Sequence, residues 1–394
     1  KLMPNFITLC NIESKDPQQV IEGNEKVIRP RLADAKFFWD TDRKQKLEDR
    51  FDKLSTVVWV QKLGTLKDKS ERLMKLASKI AGAMGGDPAL AERAAKLAKT
   101  DLLSDMVYEF TDLQGLAGSY YAKQDGEHAD VCAAMKEQYM PAYAGDELPA
   151  TVTGLAVALA DRLDSLVGLF GIGQIPTGGK DPYALRRASL GVLRLLVEKN
   201  INIDLSDLID WAIENNWSTD LKEDTKGKLT EYMLDRFSAM YQDQNIPTVV
   251  FQAVRAKGIT QPLDVNSRVH AVHAFSKLDS AEALAAANKR VSNILSKNDA
   301  FIDAPSVNEA LLQEDAEKVL ANALNEKAKE AGPLFDKSEY EAYLTSLTSL
   351  RDSIDNFFDN VMVMADDEAV KQNRLALLNQ LRNLFLKVAD ISLL

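Results

Sequence analysis

The sequence is poor in the residues that build metal centres and cross-links. It has two cysteines, Cys10 and Cys132, and three histidines, His128, His270 and His273, in 394 positions. That excludes a disulfide framework and a cysteine-rich zinc module, and it fits a reducing, cytosolic compartment. No run approaches the ~20 apolar residues of a transmembrane helix. Stretches such as Ala156-Val157-Ala158-Leu159-Ala160 are short and end in charge. The first ten residues lack the apolar core and small-residue cleavage site of a signal peptide. With no initiator Met, they read as the continuation of a longer chain. There is no Gly-Lys-Ser/Thr phosphate loop, and Gly171-Ile172-Gly173 lacks the third glycine and the preceding strand of a dinucleotide fingerprint.

What is present is an ordinary folded mixture, 46% hydrophobic and 27% charged, with 48 bases against 59 acids and a net charge of −11. This excludes a uniformly basic nucleic-acid grip, and the length suggests two or three domains. The charge is segregated, however. Residues 201–250 and 301–345 each hold ten acids and four bases, whereas 61–79 hold six bases and two acids, 176–199 five and two, and 371–390 four and one. Exposed charges act over a Debye length of ~8 Å at physiological salt, so basic faces on an acidic body can still hold a phosphate backbone. Solvated helix faces would give the same counts.

Residues 5–12 alternate weakly and read as a strand, the one clear strand of the chain. Nearly everything afterwards reads helical. Leu73, Leu76, Ala77, Ile80, Ala81 and Met84 recur at three- and four-residue steps, and Gly85-Gly86-Asp87-Pro88 stops that helix and starts the next. The spacing predicts helices at 71–84, 89–99, 101–112, 151–170, 183–199, 205–216, 226–243, 247–256, 281–298, 306–331, 337–363 and 367–389. Lys257-Gly258 and Gln261-Pro262 suggest a domain linker near 257–268. The fold class is therefore all-α, mainly helical and multi-domain.

A metal site of the HD-phosphohydrolase kind needs a His, a His-Asp pair and a distant Asp on helices of one bundle. Thr100-Asp101 falls where the pair would be and Asp161 where the closing Asp would be. Position 100 is Thr, though, and no His precedes His128. Two carboxylates do not make a metal site, so the region reads as an HD-like helical bundle without metal ligands. His270-x-x-His273 reads as a pair of ordinary helix histidines, and neither cysteine has the partners of a thiol nucleophile. No catalytic residue is assigned.

The segment Gly178 to Ala188 is more informative. Asp181 is placed as an N-cap and Pro182 in the first helical turn. Arg186 and Arg187 then oppose the helix dipole at a cost of a few tenths of a kcal/mol. That cost points to a pairing acid, such as Asp161 or Asp164, or to a phosphate ligand.

Here the sequence resembles a known family, the β subunit of bacterial heterotetrameric glycyl-tRNA synthetase. The shared stretches are colinear: Asn11 to Pro17, Gly23 to Ala35, Phe37-Phe38 with Asp40 to Arg43, Glu109 to Gly115, Gly171 to Gln174, Lys180 to Arg187, Ala286 to Leu295, Phe357 to Met364 and Val388 to Leu394. They cover essentially the whole chain.

The resemblance implies that residues 1–59 are the end of an N-terminal half, a strand then a helix. It implies an HD-like domain at 60–200, an acidic helical linker domain at 201–279 and a helical anticodon-binding domain of the arginyl-type class at 280–394. It implies a cytoplasmic ligase of two α and two β subunits, with ATP and glycine handled by α, no cofactor in this chain, and tRNA-Gly as partner. It implies neither a membrane nor DNA as partner. Lys289, Arg290, Asn293, Arg374 and Arg382 would meet the anticodon arm, and Arg29, Arg31, Arg186 and Arg187 the acceptor side or another domain. The rival readings are an HD-type metal-dependent phosphohydrolase and a purely structural assembly subunit.

Overall fold

A computed structural model describes Met3, residues 5–298 and residues 306–394. They form two compact units, Lys1–Ile175 with Trp211–Glu223, and Pro176–Asp210 with Asp224–Leu394. The fold is all-α, as predicted.

In the first unit the expected strand at 5–12 is irregular chain, with Ile7, Leu9 and Ile12 more than three-quarters exposed. Weak alternation does not make a strand where no neighbouring strand takes up the backbone N–H and C=O groups. Helix α1, Pro17–Asp42, follows, started by the Asp16 carboxylate accepting from the backbone N–H groups of Gln18 and Gln19. The one sheet among the described residues is β1 (Val58–Val60) paired antiparallel with β2 (Gly64–Thr65).

Thr65 and Asp68 then form a capping box that opens α2, Leu66–Ala83, a device worth about 1 kcal/mol. Five residues of the predicted stripe, Leu73, Leu76, Ala77, Ile80 and Ala81, are fully buried on α2, while the sixth, Met84, is half-buried at the C-cap. Helix α3 is Pro88–Leu97. The single helix expected over 101–112 is instead a 3-10 turn, Thr100–Leu103, then α4, Asp105–Glu109, then a second 3-10 turn, Thr111–Leu113. The break falls at Ser104, whose extended backbone and side-chain hydroxyl start α4 afresh by accepting from Val107 N. Helices α5 (Leu116–Asp125) and α6 (Ala129–Glu137) lead to α7, Val152–Gly171. From Thr153 onward α7 is buried except at Asp161, Arg162 and Ser165. It packs on α2, α3 and α6 as the central helix, each fully buried leucine contributing about 1.5–3 kcal/mol.

The second unit begins earlier than the sequence suggests. Residues 176–200, expected with the HD-like bundle, belong here. Helices α8 (Leu185–Glu198) and α9 (Leu205–Ile213) come first, then α10 (Thr225–Asp235), α11 (Phe237–Asp243) and α12 (Thr248–Arg255). The linker expected near 257–268 is half helix, because α13 runs Pro262–Phe275 with Pro262 at its first turn. Proline there costs no hydrogen bond and presets φ, so the cue that suggested a break marks a start.

Helices α14 (Ala281–Lys297), α15 (Asp315–Asp336), α16 (Tyr340–Leu347), α17 (Arg351–Asn360) and α18 (Glu368–Leu386) complete the chain. Helix α15 packs on α16, α17 and α18, and α14 packs on α18 and the C-terminal turn Ile391–Leu393.

Candidate functional site

A buried charge cluster lies in the first unit, around a position that an HD-type metal would need. Asp164, fully buried, accepts from Arg72 Nε at 2.6 Å and Nη2 at 3.2 Å and from Lys69 Nζ at 3.0 Å. Lys69 Nζ also faces Asp161 Oδ1 at 3.1 Å, and Lys99 Nζ lies 3.2 Å from Asp161 Oδ2. Burial works to raise the Asp161 carboxyl, but the two ammonium groups outweigh it and hold it below the ordinary value. The Arg72 guanidinium lies 4.2 Å from the centre of the Trp217 ring, and Lys69 Nζ 4.2 Å from that of Trp59. Protein cations thus face both oxygens of Asp161. Among the described residues no group of three or more His, Cys, Asp or Glu side chains is arranged to hold a metal ion.

Asp101, the other HD-like position, is 2% exposed. Its Oδ2 accepts from Gly115 N at 2.6 Å and Gly118 N at 3.2 Å, while Oδ1 has no partner. Burial raises its pKa to about 6 against the pull of those two N–H groups and of Lys99. Gly118 is required by this contact, since a Cβ there would sit 2.9 Å from Asp101 Oδ2. The arrangement anchors the start of α5.

The acids suggested as partners for Arg186 and Arg187, Asp161 and Asp164, are therefore engaged by Lys69, Lys99 and Arg72. The Arg pair is held locally instead. Helix α8 begins at Leu185, later than expected, after Ala184 in the left-handed region at φ 54°. Pro182 lies ahead of the helix. Asp181 does cap it, though not as the N-cap residue: its carboxylate accepts from Leu185 N at 2.8 Å and Arg186 N at 3.0 Å. This carboxylate offsets the dipole cost of the two arginines. Arg186 donates to the carbonyl of Gly178, and Arg187 is exposed.

The anticodon-arm candidates separate into two groups. Lys289, Arg290 and Asn293 are exposed on α14, with Arg290 lying 4.1 Å from the centre of the Phe358 ring on α17. Phe358 was visible in the sequence only as part of a shared stretch, with no role attached. Arg374 and Arg382 are a correction. Arg374 is 5% exposed, paired with the fully buried Glu317 and donating to Met362 O at 2.7 Å. Arg382 is 9% exposed and paired with Asp390 at 3.0 Å. Both guanidinium groups are inside the fold and are withdrawn as RNA contacts.

On the acceptor-side list, Arg29 is exposed and pairs with Glu25 one turn away. Arg31 is exposed too, 3.5 Å from Glu109 and stacked on the Phe110 ring.

Comparison with known proteins decides the family. The glycyl-tRNA synthetase beta subunit family matches residues 1–256. This chain belongs to that family. A second family, the DALR anticodon binding domain, matches residues 284–391 of this beta-subunit chain, which takes in most of α14 and all of α15 to α18.

The glycine–tRNA ligase beta subunit of Marinobacter nauticus is 59% identical over 393 residues, covering 100% of this chain and 57% of its own length. Those of Pseudoalteromonas translucida and Hahella chejuensis are 54% and 53% identical over 402 and 394 residues, again covering 100% of this chain and 57% of their own lengths. The chain thus spans 57% of the length of these relatives. No helix among its described residues is long and apolar enough to cross a membrane.

Proposed function

We propose that this chain is the tRNA-binding part of a glycyl-tRNA synthetase β subunit and that it positions tRNA-Gly for glycylation by an α subunit. The observation that carries the reading is the coincidence of the anticodon-binding family match at 284–391 with exposed Lys289 and Arg290 on α14 of that segment. The reaction has two steps on α: glycine and ATP form glycyl adenylate and pyrophosphate, then the tRNA 3′ end attacks the adenylate carbonyl and releases AMP. This chain supplies no group to either step. Its contribution is to hold the anticodon arm through Lys289, Arg290 and Asn293, and the acceptor side through Arg29, Arg31 and Arg187 with Arg186 beside it.

Guanidinium and ammonium groups draw phosphate without regard to sequence, whereas unpaired bases carry the information. The assembly this implies is two α and two β chains in the cytoplasm.

Filter binding of the chain to tRNA-Gly across a salt series tests the reading. The expected result is an affinity that falls linearly on a log–log plot with salt, and a weaker complex with an anticodon-substituted tRNA. A response flat in salt overturns the phosphate contacts, and equal affinity for the two RNAs overturns anticodon reading.

A further inference from the structure

Between α15 and α18 lies a cleft of about 470 Å³ that nothing above assigns. Its walls carry four carboxamides: Asn325 from α15, and Asn379, Gln380 and Asn383 from α18. Among the described residues that line it there are also one base, Lys387, and one acid, Glu309, so their formal charges balance. The three α18 amides and Lys387 follow one another at helical spacing along a single face. Ala321, Ala328 and Ala376 leave the space between the helices open. Among the described residues one side-chain hydrogen bond spans it, Gln380 Nε2 donating to Asn325 Oδ1 at 2.9 Å. The side-chain amides of Asn379 and Asn383 have no hydrogen-bond partner among the described residues.

Each carboxamide offers one acceptor oxygen and two donor hydrogens. That mixture matches the donor and acceptor groups along a nucleobase edge, and asparagine and glutamine are base-reading side chains for this reason. A neutral, amide-lined cleft has little to offer a phosphate, which is drawn by cations. RNA exposes such edges where its bases are unpaired.

We propose that this cleft receives one unpaired nucleobase of the bound RNA, with Asn379 and Asn383 hydrogen-bonding its edge. The proposal rests on the tRNA-binding reading above. It adds a base-reading site separate from the phosphate-drawing residues Lys289 and Arg290.

The test uses the full 394-residue chain and a set of tRNA-Gly transcripts in which each unpaired anticodon-loop nucleotide is replaced in turn. Wild type should discriminate at one loop position. The double variant Asn379→Ala with Asn383→Ala should lose that discrimination by about tenfold or more. Its salt dependence should stay unchanged, because no cation has been removed. Ala328→Leu, which fills the cleft and keeps every amide, should reproduce the loss. Unfolding curves coincident with wild type assign the effect to the cleft, and the two variants fail in different ways if folding is at fault.

Unchanged discrimination in both variants, or a wild-type chain with no preference at any loop position, overturns the cleft and leaves phosphate binding standing. A wild-type chain with no salt-dependent binding at all overturns the reading beneath it as well.

Discussion

Two basic regions of this molecule invert the order their sequences suggest. Residues 61–79 carry six bases against two acids, while α14 carries only Lys289, Arg290 and Lys297 against Glu282. By charge count the first is the better RNA surface. In the fold, Lys69 and Arg72 of the first are 3% and 2% exposed and committed to Asp161 and Asp164, whereas Lys289 and Arg290 stand in solvent. The stretch 371–390 behaves like the first region, with two of its four bases buried as ion pairs. A local charge sum counts protons and says nothing about what already faces them. A field that reaches a ligand comes only from charges left hydrated and unneutralised.

The sharpest way to break this contrast is to remove the acid from the buried cluster. Asp164→Ala leaves Arg72 and Lys69 without their main counter-charge and should cost about 3–5 kcal/mol in urea denaturation. A loss below about 1 kcal/mol would show that the cluster is hydrated and that the comparison is wrong.

Next comes Arg374→Ala, which strands the buried Glu317 carboxylate and should cost about 3 kcal/mol. The salt slope of RNA binding by the folded variant should match that of wild type, and a reduced slope would return Arg374 to the RNA surface.

A smaller effect follows pH. Asp101 titrates near 6 in the fold and near ~3.9 unfolded. Its folded pKa is raised, so its contribution is complete below the unfolded value and is lost as pH rises through about 6. The loss amounts to up to about 3 kcal/mol. The stability difference between wild type and Asp101→Asn should therefore change across that window, and a constant difference would disprove the burial argument.

Smallest in stability is Lys289→Ala with Arg290→Ala, expected within about 0.5 kcal/mol of wild type. The same variant should flatten the log–log salt slope by roughly 0.7–0.9 for each phosphate that is no longer neutralised. An unchanged slope would remove α14 from the interface.

The long elements could be read from periodicity alone. The stripes of α2 and α14 and nearly all of the largely apolar α7 lie within the predicted spans, because burial of a face is what a 3.6-residue repeat encodes. The failures cluster where a single residue overrides the repeat. Ser104 breaks the helix expected over 101–112, and Pro262 opens one where a linker was expected. The 337–363 span divides into α16 and α17 around a 3-10 turn at Thr348–Leu350. The candidate site was legible as residue types and illegible as exposure. Arg374 and Arg290 look alike in a sequence, and what separates them is Glu317, 57 positions away from Arg374. The carboxamide-lined cleft left no sequence signal at all, since its walls are assembled from helices far apart along the chain.

Helix α1 is held at one end. Its tertiary hydrogen bonds, ion pair and ring contacts among the described residues begin at Arg31 and concentrate near Asp42. The Asp42 carboxylate accepts from Asp105 N, Met106 N, Tyr121 Oη and Arg50. The turns before Arg31 extend roughly 20 Å at 1.5 Å per residue, with Ile21 and Val27 exposed along them. Mechanically this is a cantilever clamped between Arg31 and Asp42, with a buried carboxylate at the root of the clamp. A force applied near residue 17 acts on that clamp as a torque, with the turns before Arg31 as its arm.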